Sequence, residues 1–222
     1  MRRPFIFTGC IELREILGKR AEDEKELADL LEEVPLGSVY YHTHGYFLRH
    51  RFVTGVYPND FATWAAIQVR DRVLGERLAI LDPFEFENLE ALRDEIISVI
   101  DDHLSKMNII PRVVYGEPFD FIQSHIVEVP TGIVVHNLRE FREALFEVDV
   151  STIYFHMVEA RVMLHKEEAD FAHWLEDELG LPDLAVQFRR INPYMGGLER
   201  TRSKLLMLCD EALIKGEKGC GL

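Results

Sequence analysis

The sequence predicts an α+β fold, mainly helical, made of two tandem copies of one unit, each a β-hairpin followed by about four helices. Three observations carry this reading. Val39-Tyr40-Tyr41-His42, then Asn59-Asp60-Phe61-Ala62-Thr63-Trp64, recurs in order as Ile153-Tyr154-Phe155-His156, then Ala169-Asp170-Phe171-Ala172-His173-Trp174. Phe5 to His42 aligns without a gap on Phe119 to His156, an offset of 114 residues (156 − 42). Each copy also passes from short alternating apolar runs to longer stretches of helical spacing. The copies span residues 4–106 and 118–216, joined by a connection over 107–117.

The first element of each copy follows from alternation. Phe5-Ile6-Phe7 leads to Cys10-Ile11, and Phe119-Asp120-Phe121-Ile122 leads to His125-Ile126-Val127. Such runs predict strands. Gly18 and Gly132 stand at the same point, and Pro130-Thr131-Gly132 precedes Ile133-Val134-Val135. The expectation is a turn and a return strand in each copy, poorer over Lys19 to Ala21 in the first. Two such hairpins have the option of sharing one sheet.

Helices follow. Leu27, Leu30, Leu31 and Val34 share a face, as do Leu138, Phe141, Leu145 and Val148, with Asp23 and Asn137 as N-caps. Ser38 and Ser151-Thr152 are read as caps of the segment carrying the Tyr and His. There Ile153, Met157, Ala160 and Leu164 have helical spacing, whereas Gly45 weakens the helix in copy one. Asp60 and Asp170 directly precede Phe-Ala-x-Trp, an N-cap signature. Links closed by Pro83 and Pro193 lead to a last amphipathic helix through Leu89, Leu92, Ile96, Ile97 and Ile100, matched by Leu198, Leu205, Leu206 and Leu213.

Composition excludes several partners. With 222 residues, 47% of them hydrophobic, the chain can bury a sizeable core. A net charge of −14 opposes non-specific nucleic-acid binding and adhesion to an anionic membrane. No run approaches the ~20 apolar residues of a membrane span. Cys10, Cys209 and Cys220 have no metal-like spacing, and an odd, scattered set points to reduced thiols in a cytoplasm.

The repeated residues are the candidates for chemistry. His42 and His156, with Asp60 and Asp170, could act as acid–base pairs; Tyr40, Trp64, Tyr154 and Trp174 could contact a ligand. The competing reading makes His42 and His156 half-buried hydrogen-bonding residues, the two Asp helix caps, and the Trp pair core anchors. No metal site or cofactor is expected. His42 and His44 in a helix diverge by about 200°; His50 and His165 fall out of register between the copies. Arg51, Arg70, Arg72 and Arg77 form a basic cluster, for which salt bridges to the many Glu are the ordinary use. The sequence has no phosphate loop, Rossmann fingerprint, nucleophile elbow or HExxH. Ser124 faces Cys10 in the alignment, which excludes a duplicated cysteine nucleophile.

Ser38 to His42, Asn59 to Ala62 with Trp64, Leu78-Ala79-Ile80-Leu81-Asp82-Pro83, Ser151 to His156, and Asp170-Phe171 with Trp174 resemble an uncharacterised prokaryotic family, a domain of unknown function. The resemblance implies a soluble prokaryotic protein and carries over no activity or site. The leading expectation is a non-catalytic binding or regulatory module, its partner a protein or small molecule. The alternative is an enzyme using the paired His and Asp for acid–base or metal-assisted chemistry. A homo-oligomeric assembly is a third possibility.

Overall fold

A computed structural model describes residues 3–50, 55–163, 170–194 and 196–219. The fold is α+β and mainly helical. Its alternating segments form two long strands, β1 (Phe5–Ala21) and β2 (Phe119–Val135), paired in one two-stranded sheet. The pairing is antiparallel: Arg20 bonds Asp120, Glu15 accepts from Gln123, and Thr131 donates to the carbonyl of Phe7.

The expected hairpin within each copy does not form. Gly18 (φ 69°) and Gly132 (φ 77°) are left-handed, yet each stays inside its strand. A single left-handed glycine gives a bulge, whereas the tight type I′ hairpin needs two such residues in succession. Each strand therefore pairs with the strand begun 114 residues away (119 − 5).

The helices of the first half are α1 (Glu24–Glu33), α2 (Leu36–His42), α3 (Gly45–Arg49), α4 (Asp60–Trp64), α5 (Arg72–Ala79) and α6 (Leu89–Leu104). After β2 come α7 (Leu138–Glu147), α8 (Val150–Tyr154), α9 (Ala160–Val162), α10 (Phe171–Asp177), α11 (Pro182–Arg189) and α12 (Gly197–Gly219). Bounds of α1 and α7 stand 114 residues apart (138 − 24), and those of α5 and α11 stand 110 apart (182 − 72). π-helical turns extend α4 through Ala65–Val69 and α8 through Phe155–Glu159. The expected uninterrupted helix from Ile153 is thus widened by a π turn; Leu164 and His165 lie outside the described residues.

Capping explains most helix starts. Asp23 and Asn137 cap α1 and α7, and Glu26 and Glu140 reach back to the backbone N–H of Glu22 and His136 as capping boxes. Three expected caps differ. Asn59, not Asp60, caps α4 by accepting from Ala62 N–H. Ser38 lies inside α2, which begins after Pro35, and Asp149 rather than Ser151 or Thr152 caps α8. Short polar residues stand side by side at Asn59-Asp60 and close together at Asp149 and Ser151, and local sequence does not rank them; at α2 the N-cap is Pro35, with no side-chain cap. Asp170 does cap α10.

The chain divides into two compact units, Glu12–Ile126 and Met1–Ile11 with Val127–Leu222. Both divisions fall inside strands. In the Glu12–Ile126 unit, Phe119 and Phe121 of β2 join Leu27, Leu31, Val39, Phe61, Trp64, Leu74, Ile96 and Ile100 in the core. In the other unit, Phe5 and Phe7 of β1 meet Phe141 and Phe171, and Phe5 also meets Trp174. Among the described residues no helix is long and apolar enough to cross a membrane.

Candidate functional site

A strand in a two-stranded sheet leaves every second backbone N–H and C=O without a ladder partner. In the Glu12–Ile126 unit α2 supplies those partners. The backbone N–H of Ile122 donates to His42 Nε2 at 3.1 Å, and Ser38 Oγ donates to the carbonyl of the same Ile122 at 2.8 Å. Ser38 and His42 are four apart, so one helical face presents an acceptor and a donor to one strand residue. An Nε2 that accepts carries no proton, so His42 is neutral with its proton on Nδ1. That N–H donates to Asp60 Oδ2 at 2.9 Å. Burial lowers the His42 pKa below its ordinary value, outweighing the opposing pull of Asp60.

The other unit repeats the contact. Thr8 N–H donates to His156 Nε2 at 2.8 Å, and the ring lies among Phe5, Phe7 and Phe171. Thr152, four residues before His156, is buried like Ser38. Asp170 is occupied in capping α10, accepting from Ala172 and His173 N–H. Asp60 and Asp170 hold matching places in sequence; Asp60 bonds His42, and Asp170 caps α10.

The tryptophans complete each clamp. Trp64 Nε1 donates to the Glu117 carbonyl at 2.9 Å, and Trp174 Nε1 donates to the Arg3 carbonyl at 2.9 Å, each two residues before a strand begins. Both are almost fully buried. Trp64→Phe keeps most of the apolar contact and removes that bond, so it should cost about 1–2 kcal/mol of unfolding free energy in urea denaturation. An unchanged stability would show that the bond contributes nothing. Tyr40 and Tyr154 are core residues, 2% and 0% exposed.

His42, Asp60 and Trp64 also line a groove of about 460 Å³ with Arg14, Tyr41, Arg49, His50, Gln68 and Asp120. Arg49 is held on several sides: it donates to Asp60 Oδ2 and to the Tyr41 carbonyl, and its guanidinium lies 3.8 Å from the centre of the Tyr41 ring. Burial pushes the Asp60 carboxyl up, but the His42 bond and the Arg49 charge outweigh it and hold its pKa below the ordinary value. The groove thus has an ionised, doubly bonded carboxylate beside a neutral imidazole whose Nε2 lone pair is occupied. Its remaining surface mixes aromatic rings and the Gln68 amide with the charged side chains of Arg14, Glu117 and Asp120.

A family model described as a family of unknown function (DUF5752) matches residues 2–210. The chain belongs to that family. The structure of OrfY from Thermoproteus tenax is similar to this DUF5752 chain, with a TM-score of 0.78 and 23% identity, covering 96% of this chain and 97% of that one. At that identity the likeness speaks for the fold. No curated protein matches the chain.

One polar cluster in this DUF5752 chain was not singled out from sequence. Glu24, Asp71 and His103 come together inside the Glu12–Ile126 unit. Glu24 and Asp71 are 47 positions apart (71 − 24), and Asp71 and His103 are 32 apart (103 − 71), so no short motif links them. The legible signal was the comparison of halves: at the aligned positions the second half has Leu138, Leu181 and Ala212.

Proposed function

We propose that this chain is a non-catalytic binding or regulatory module, built from a duplicated unit and working in a cytoplasm. The observation that carries the reading is that each repeated histidine gives its Nε2 lone pair to a strand N–H, of Ile122 or of Thr8. A general base must offer that lone pair to a substrate. The 114-residue offset between strands and between α1 and α7 supports the duplication. The groove beside Tyr41 and Trp64 is the surface a small polar ligand or a partner side chain would use. Cys10 and Cys209 form no disulfide with a described residue, which fits the reading of reduced thiols in a reducing compartment.

The alternative, an enzyme using a His–Asp pair, has one observation in its favour: His42 and Asp60 bond each other and line the same groove. Long-range ¹⁵N–¹H NMR of the histidine rings separates the readings. The module requires His42 and His156 to hold the Nδ1–H tautomer from pH 8 down to 5. A ring that titrates between pH 6 and 8 would sink the non-catalytic reading.

A further inference from the structure

Three side chains of the Glu12–Ile126 unit, none of them part of the histidine clamp, converge on one point. Glu24 opens α1, Asp71 is the N-cap of α5, and His103 stands in the last turn of α6. One nitrogen or oxygen from each lies within 4.8 Å of the others. His103 Nε2 is 2.8 Å from Asp71 Oδ2, while Asp71 Oδ1 accepts from Leu74 N–H at 3.0 Å. Glu24 is 0% exposed, and among the described residues neither of its carboxylate oxygens has a hydrogen-bond partner. Its charged neighbours, Asp71 and Asp23, repel a second negative charge. A fully buried carboxyl aimed at another carboxylate and an imidazole, with no donor of its own, is a costly arrangement unless something cationic completes it.

We propose that Glu24, Asp71 and His103 bind one divalent transition-metal ion. Two carboxylates supply the balancing charge, and one imidazole selects a zinc- or manganese-like ion over magnesium or calcium. No thiolate is involved. On binding, the neutral His103 ring carries its one proton on Nδ1, the Nε2 lone pair takes the ion in place of its bond to Asp71, and the Glu24 carboxyl gives up its proton to solvent. Ligands at about 2.1 Å around a tetrahedral ion stand roughly 3.4 Å apart, so the His103–Asp71 pair, now 2.8 Å apart, opens by about 0.6 Å and Glu24 closes by at most about 1.4 Å. The ion joins the ends of three helices, and α1 and α5 both pack on α6. Backbone geometry positions Asp71: the π turn Ala65–Val69 ends at Arg70, the one described non-glycine residue with positive φ (70°). In the second half all three positions are apolar together, as expected of residues that serve one ligand.

The test uses the full chain, stripped with EDTA and titrated calorimetrically with ZnCl₂, MnCl₂ and MgCl₂. Zinc or manganese should bind one ion per chain and raise the melting temperature by roughly 5–10 °C at 100 times Kd. Glu24→Leu places at the start of α1 the residue that starts α7, and Asp71→Asn keeps an N-cap oxygen, so both should fold. Each should weaken zinc binding by about tenfold or more. Without metal, Glu24→Leu should melt above the wild type, since it removes the lone buried carboxyl. Absence of zinc and manganese binding to the wild type, binding unchanged in both variants, or tighter binding of magnesium than of either would overturn the proposal.

Discussion

His42→Leu should lower the unfolding free energy by about 3–4 kcal/mol in urea denaturation. Two losses contribute. The backbone N–H of Ile122 loses its acceptor in a part-buried place, and an unpaired buried donor costs about 1–3 kcal/mol. Asp60 loses the Nδ1–H bond, worth about 1.5–3 kcal/mol for a charged acceptor, although Arg49 remains to balance it. Leucine returns some apolar burial against Phe61, Phe119 and Phe121, which keeps the total below the sum. Asp60→Asn, which keeps an acceptor oxygen but not the charge, should cost less. A loss below about 1 kcal/mol for His42→Leu would show that water replaces the imidazole and that α2 does not hold the strand.

His44 should make the protein sensitive to acid. Its ring is 2% exposed, stacked on Tyr40 at 5.1 Å with Phe84 edge-on at 5.0 Å. Burial drives its pKa down to about 3, with a bond to the Pro83 backbone opposing the shift. The folded value lies below the unfolded one near 6.5, so between the two the unfolded chain binds more protons. The contribution is complete above about pH 6.5 and is lost as the pH falls toward 3. From pH 7 to pH 5 the loss is about 2 kcal/mol. Other groups titrate in the same window, so the measure is a difference. Wild type should lose about 2 kcal/mol more than His44→Leu between those pH values in urea unfolding. Equal losses would mean that the folded protein takes up the proton in place.

Much of the fold is legible in the residues themselves. Alternation marks where both strands begin, helical spacing marks α1, α6 and α7, and Asp23, Asn137 and Asp170 announce their caps. These are local signals, acting over four or five residues. The repeated Tyr-His and Asp-Phe-Ala-x-Trp were also visible as the residues around which each half is arranged. Less legible was their use. A histidine whose partner is a strand amide 80 positions away, as His42 is to Ile122, leaves no pattern in its own neighbourhood. Ser38 has the look of a cap and is not one for the same reason: its hydroxyl partner is the Ile122 carbonyl, 84 positions away.

Sequence alone determined the fold class, the helix faces and the set of residues shared by the two halves, because these depend on periodicity and short-range capping. Tertiary structure decided the rest. A left-handed glycine permits either a turn or a bulge, and the choice at Gly18 and Gly132 lies with whichever strand offers the better ladder and core. Phe119 and Phe121 fill the core built by α1, α2, α4, α5 and α6, which commits β2 to β1 and makes the hairpin unnecessary. Asn59 takes the cap of α4 and leaves Asp60 to His42 and Arg49, a choice made by packing around the groove. The convergence of Glu24, Asp71 and His103 likewise arises only when three helix ends are packed together, since burial and electrostatic proximity are properties of the folded chain.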